Sequence, residues 1–368
     1  MAANKIAKLP LRSVLRPLRA LRHQSWPPST AIPPKLDSSQ PVEEENSPYY
    51  HPSCFYPARI GQVLHDRYQI VSKLGYGSRA TVWLAKDLYQ WRWFHERYVA
   101  VKISSNSDTR KVAGDAEVDI LRHISTANPG HVGWHFVRQL RDSFQLEGTA
   151  PGRPHACLVF DPLRESLGRY CRRWNTGAMP PEFFRIVLQM ILQALDYLHT
   201  ECHIIHAVRG DGPVAHDGCI QAEVYRAPEV VLDKGYSYSA DIWSLGVMLW
   251  DFLEGRTLFD AVDPFKVPEY DDEKHLAYIT ALLGPAPKDL LDQGKRTSMF
   301  YNPSGNLHTP SLIPTDFSFE STVSMMSGER KRRFISFVRR MVKWKPEDRS
   351  TAKELLSDPW LHEDFPEE

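Results

Sequence analysis

Apolar and polar side chains alternate along Tyr68–Leu74, Thr81–Lys86 and Tyr98–Ile103, the period of two that predicts half-buried strands. A fourth run, His155–Phe160, is almost continuously apolar and reads as a buried strand ending at the connector Asp161-Pro162-Leu163. Beyond it the period changes. Phe184, Val187, Leu188, Ile191, Leu195 and Leu198 recur three and four apart, which predicts a long core helix. Asp241–Gly255 is apolar on nearly every face, as a helix through the centre of a domain must be. Phe334, Phe337, Val338 and Met341 mark another helix, which makes the basic run Arg330–Arg333 its solvated face rather than a nucleic-acid patch. A helix over Ala116–Ile124 places Glu117 on one face with Ile120, Leu121 and Ile124. Strands first and helices afterwards predict an α+β architecture, a small β-rich unit followed by a larger helical one.

Candidate chemistry lies on the strand run. Gly75-Tyr76-Gly77 falls between the first two strands, where glycine lets backbone N–H groups approach anionic oxygens, although a tight hairpin wants glycine equally. Lys102 sits in Tyr98-Val-Ala-Val-Lys-Ile103, either as a phosphate-pairing lysine or as a lysine at a sheet edge. A carboxylate on an apolar helix face needs a cation, and Lys102 is the candidate partner for Glu117. In this order, glycine turn, lysine and helical glutamate resemble the small lobe of a protein kinase, with Ala80 where a third glycine usually stands. The resemblance implies a two-lobed kinase-like fold in which Leu74, Gly75, Gly77, Val82, Ala100, Lys102 and Glu117 serve a nucleotide. It also implies that Phe160 backs the pocket and that main-chain groups around Asp161 and Leu163 bond the adenine edge.

Further along the likeness becomes more specific. Tyr197-Leu-His-Thr-Glu-Cys-His-Ile-Ile-His206 resembles the approach to the catalytic loop in the SR-protein kinase family, in its fungal branch. Tyr225-Arg-Ala-Pro-Glu229 resembles the end of that family's activation segment, and His275–Leu307 its substrate-docking insert. Asp241 and Trp344-Lys-Pro-Glu-Asp-Arg349 resemble its later motifs, which implies structural roles for Glu229, Asp241 and Arg349, with Arg349 paired to Glu229. The family follows this histidine with a catalytic aspartate, and later with a metal-binding aspartate. Here His206 is followed by Ala207-Val-Arg-Gly-Asp211, and no Asp-Phe-Gly precedes Glu229. An internal deletion at the His206–Ala207 bond accounts for this simply, because the motifs resume in register after it. No catalytic residue and no metal ligand is therefore assigned. ATP is the implied cofactor; Mg2+ is expected for the family, but its ligands are missing. The implied partners are protein substrates, Arg/Ser-rich ones among them. Two functions follow: a serine/threonine kinase by lineage that lacks one segment, or a pseudokinase that holds protein partners. Loss of the segment is also expected to strip apolar partners from the helices at 184–200 and 241–255.

Composition narrows the setting. Lys+Arg and Asp+Glu balance at 45 each, so no global field selects nucleic acid or a membrane. No apolar run approaches the roughly 18 residues of a membrane helix. Cys54, Cys157, Cys171, Cys202 and Cys219 contain no CxxC pair and read as free thiols. A zinc site from Cys202, His203, His206, His216 and Cys219 is the rival reading of the junction. The first 36 residues carry Arg12, Arg16, Arg19 and Arg22 beside Leu11, Val14, Leu15, Leu18 and Leu21, with no Asp or Glu. That is a presequence composition or a basic tail broken by Pro10 and Pro17. The expected compartment is cytoplasm or nucleus, with the mitochondrion as the alternative. The expected organisation is a leader and irregular lead-in over 1–61, with Glu43–Glu45 acidic. A small lobe over 62–162, a large lobe over 163–363 and a tail over 364–368 follow.

Overall fold

The computed structural model describes residues 21–27, 37, 40–47, 50–106, 111–148, 154–174, 177–206, 221–262 and 269–363, with backbone alone at 111–115. The His206–Ala207 junction, His216, Cys219 and residues 1–20 of the leader lie outside these or at their border. The chain divides into two compact units, 1–122 with 138–164, and 123–137 with 165–368.

The first unit is an antiparallel sheet in the order β1-β2-β3-β4-β6-β5. Its strands are β1 (Val63–Leu64), β2 (Tyr68–Gly77), β3 (Ala80–Asp87), β4 (Tyr98–Ser104), β5 (Leu140–Leu146) and β6 (His155–Phe160); helix α1 (Lys111–Thr126) follows β4. Period-two alternation divides the sheet into two faces. Ile70, Ala85, Val99, Val101, Ile103, Cys157 and Val159 pack together on one of them. Register puts Val82 opposite Lys102 and Lys102 opposite Leu158, with Leu84, Ala100 and Phe160 in the next row, so these side chains share the other face. The sheet is curled: Tyr68 of β2 donates to Asp142 of β5 at 2.7 Å and stacks on Phe144. Arg67 grips Asp87 through two bonds of 2.8 Å and reaches the same Asp142 at 3.2 Å.

The described part of the lead-in is held rather than loose. Phe55 is buried, Tyr56 meets His155 edge-on, and the Asn106 amide donates to the Cys54 carbonyl. The acidic turn Glu43–Asn46 is pinned by Lys73, whose ammonium lies 2.5 Å from both Glu43 and Glu44. Desolvation works against that charge, but the two hydrogen-bonded carboxylates outweigh it and raise the Lys73 pKa.

The second unit is helical, built on α2 (Pro181–Thr200), α3 (Ser239–Leu253), α4 (Asp272–Leu283) and α5 (Gly328–Val338). Eleven of the fifteen α3 residues are buried, and Trp250 packs against Phe319 and Phe334. The expected loss of cover on this helix is thus not found, because the chain from Phe319 to Trp360 encloses it. On α2, by contrast, Phe183, Ile186 and Met190 are exposed at helical spacing. Gly133 lies so close to α2 that an added Cβ would stand 1.9 Å from the Gln193 carbonyl oxygen, so only glycine fits there.

Among the described residues Glu229 and Arg349 form a fully buried ion pair. Both side chains are 0% exposed and meet through two bonds of 2.7 Å. The remaining guanidinium hydrogens go to the carbonyls of Lys343, Ser239 and Trp344, and Trp243 lies beneath the guanidinium. Such a pair adds little against an apolar replacement, but losing one partner strands a buried charge at a cost of about 3–5 kcal/mol. Arg349→Met should lower the urea-derived unfolding free energy by roughly that amount. Adding Glu229→Leu to it should recover part of the loss, which a double-mutant cycle reads directly.

His275 on α4 is fully buried between Phe259 and Tyr270; burial first, and then the charge of Arg226, pushes its pKa down to about 3. Between that value and the ordinary histidine range the unfolded chain binds a proton that the folded chain refuses. Stability is therefore lost as pH falls through this window, at up to about 1.4 kcal/mol per pH unit from this group. His275→Gln should flatten the difference between urea unfolding at pH 7 and at pH 5.

Candidate functional site

The face of the sheet opposite the core collects the candidate nucleotide residues. Gly75 lies in β2 at a break in register with β3, and Gly77 pairs with Ala80 across a two-residue turn. A β-bulge accommodates glycine well, and neither residue requires a positive φ here. An added Cβ at either glycine would meet nothing within 4 Å, so the backbone borders open space. A ligand oxygen can approach the N–H groups there without displacing protein atoms. Leu74 at the start of this segment is exposed, Val82 is half-buried, and Ala100 is buried in the middle of the row.

Lys102 projects from that face, and its ammonium lies 2.5 Å from Glu117 on α1. One expectation needs correction. Ile120 is 39% exposed and Leu121 only half-buried, so Glu117 does not lie on a buried apolar face. The Lys102 and Glu117 side chains are themselves about a third exposed, at 31% and 35%. An ion pair this accessible contributes at most about 1 kcal/mol to stability, so its use is positional: it fixes the amine on the sheet face that also carries Val82 and Ala100.

At the end of β6, Phe160 is buried and carries the Arg138 guanidinium 4.3 Å above its ring. Leu163 is exposed. The Asp161 side chain is engaged by Arg141, with bonds of 2.8 and 2.5 Å, and by Arg97 at 3.3 Å. Partial burial pushes this carboxyl up; the Arg141 hydrogen bonds and then the two positive charges outweigh that and hold it below the usual carboxylate range. This clamp ties the connector to β5 and to the residue that leads into β4. It was missed in the sequence because Arg97 and Arg141 belong to segments with no local pattern linking them.

A second set of candidate residues lies wholly within the helical unit. One oxygen of Asp241 accepts from the His206 backbone N–H and bonds His199 Nε2, both at 2.8 Å. Asp241 thereby takes up a backbone N–H from His206 and a buried histidine side chain together, which is the structural role expected of it. Gln221 carries the chain on the far side of the undescribed stretch: it donates to Ala240 O and Ser244 Oγ and accepts from the Ala227 N–H. Both ends of that stretch are therefore fastened to α3. His199 and Gln221 were overlooked, although a histidine at a core position of the α2 pattern is a signal that it needs a partner. Among the described residues no group of three or more His, Cys, Asp or Glu is placed to hold a metal ion. The zinc reading and a magnesium clamp thus find no ligand cluster in what is described. The glycine segment and Lys102 do offer what nucleotide phosphates need, backbone N–H groups and a fixed cation.

Comparison with known proteins fits this arrangement. The protein kinase domain profile matches residues 213–361. A serine/threonine protein kinase of Aspergillus fumigatus is 33% identical over 399 aligned residues, covering 93% of this chain and 97% of the relative. The serine/threonine-protein kinase SRPK of Physarum polycephalum is 26% identical over 402, covering 87% and 91%. Human dual specificity tyrosine-phosphorylation-regulated kinase 3 is 27% identical over 345, covering 82% of this chain and 54% of that protein. With a curled β-sheet lobe, a helical lobe and a near full-length relative above 30% identity, the chain belongs to the protein kinase family.

Proposed function

We propose that this chain is an SR-protein-kinase-like serine/threonine kinase by lineage, lacking the segment between His206 and Ala207. In this form it binds ATP weakly and transfers no phosphoryl group. The observation that carries the reading is the direct passage from His206 to Ala207-Val208, where the family has its catalytic aspartate. Phosphoryl transfer is catalysed by positioning and by charge stabilisation through metal ions. Loss of the general base alone costs about 10²–10⁴-fold in rate, and loss of the metal clamp adds to it. Alignment length supports a missing block. The 93% of this chain matched by the Aspergillus kinase is about 342 residues, so about 57 of the 399 aligned positions stand opposite gaps. The profile match beginning at residue 213, just after the junction, points the same way. The SR-type lineage is supported by the Physarum relative and by mouse SRSF protein kinase 3, 30% identical over 182 residues. Arg/Ser-rich proteins are accordingly the proposed substrates of the intact form. A second reading, a pseudokinase that holds protein partners, is supported by the fully paired Glu229–Arg349 contact, which braces the helical lobe without any catalytic aspartate after His206.

ATP should raise the melting temperature of the purified chain slightly, with no further rise on adding Mg2+, and Lys102→Met should abolish the shift. Labelled phosphate should not pass to an Arg/Ser peptide; turnover at even about 1 s⁻¹ would overturn the inactive reading. Inserting the matching Aspergillus segment between His206 and Ala207 should restore transfer. A folded but inert chimera, together with transcripts that all join these codons directly, would leave the scaffold reading in its place.

A further inference from the structure

Part of the basic leader is built into the small lobe. Register aligns Gln69 of β2, Lys86 of β3 and Tyr98 of β4 in one row across the sheet. The row lies on the same face as Ala100 and Lys102, two residues or about 7 Å further along β4 from Ala100. Gln69 is 1% exposed and Lys86 is 3% exposed, unusual for polar side chains on a sheet surface. The leader covers them. The Gln69 carboxamide accepts from the Trp26 N–H at 2.7 Å and donates to the Trp26 carbonyl at 2.9 Å, pairing with that residue as a neighbouring strand would. The Lys86 ammonium lies 4.8 Å from the centre of the Trp26 ring and 2.5 Å from Glu96, and Tyr98 tilts against the same indole at 6.4 Å.

A second contact is independent of the first. Leu21 and His23 bracket a short antiparallel bridge with the β3–β4 loop: Arg92 N–H donates to the Leu21 carbonyl at 2.9 Å, and His23 N–H to the Gln90 carbonyl at 3.0 Å. His23 Nε2 bonds the Phe94 carbonyl, and Arg22 stacks over Tyr89 at 3.9 Å.

We propose that Gln69, Lys86 and Tyr98 form a peptide site that reads an aromatic residue in an extended segment, and that the chain's own Leu21–Pro27 fills it. Backbone capture by Gln69 is indifferent to side chain; the ammonium above a ring selects an aromatic. With Trp26 absent, Lys86 keeps Glu96 but loses its apolar cover. The basic leader is then divided in function. Any proteolytic removal must stop before Leu21 if the site is to stay filled.

Amide exchange on the full chain tests this. The Trp26, His23 and Arg92 amides should exchange about 100-fold or more below the free-peptide rate, unchanged by tenfold dilution of the protein. Trp26→Ala should bring the His23 and Arg92 amides most of the way to the free rate. A synthetic peptide of residues 20–28 should bind a chain lacking residues 1–27 and not the full chain. Free-peptide exchange at Trp26 in the full chain overturns the proposal whether or not the shortened chain folds. Protection that disappears on dilution overturns it too, because the segment would then come from a second copy.

Discussion

The helical lobe depends on one buried ion pair. Glu229 and Arg349 stand far apart in sequence, yet each is sealed from water and satisfied only by the other and by nearby main chain. A bidentate carboxylate–guanidinium contact has little angular tolerance, so it sets where the segment after the junction must lie against the last helices. Asp241 repeats the logic on a smaller scale, tying His206 and His199 to the start of α3. These contacts give a common frame to chain on either side of the undescribed stretch.

Much of this was legible in the sequence where chemistry is local or periodic. The strands show in alternation, and the long helices in the spacing of residues such as Phe184 and Leu188. Glu229–Arg349 followed from resemblance alone, since nothing in the pattern near either residue demands the other. What stayed hidden was contact between distant segments with no shared period. The Arg97–Asp161–Arg141 clamp, the Gln221 brace and the seating of Trp26 on Gln69 are of this kind. Ile120 shows the opposite error: a helical pattern predicts a face, but exposure depends on what lies against it, and there Ile120 is exposed while Ile124 on the same face packs against other apolar residues.

Protein kinases transfer phosphate from ATP to proteins with the help of Mg2+, and their small lobe holds the nucleotide before any chemistry begins. In this chain the small lobe presents a lysine–glutamate pair and a glycine segment. Lys102 is fixed by Glu117, the glycine segment borders open space, and the connector at Asp161 is braced by Arg141 of β5 and by Arg97 just before β4.

The borders of the sheet bear on how such a chain behaves when its helical lobe is slow to form. At one margin β1 is only two residues long, and at the other β5 carries Arg141 and Asp142 with a break in register between Leu140 and Asp142. Unpaired strand margins recruit other strands, and shortness, charge and irregularity all discourage that recruitment. Asp142 is also engaged by Tyr68 and Arg67 across the curl, which holds this margin against its own sheet. A half-made chain of this kind is thereby protected from intermolecular β-assembly. In the formed helical lobe the apolar surface left open is instead the stripe of Phe183, Ile186 and Met190 on α2.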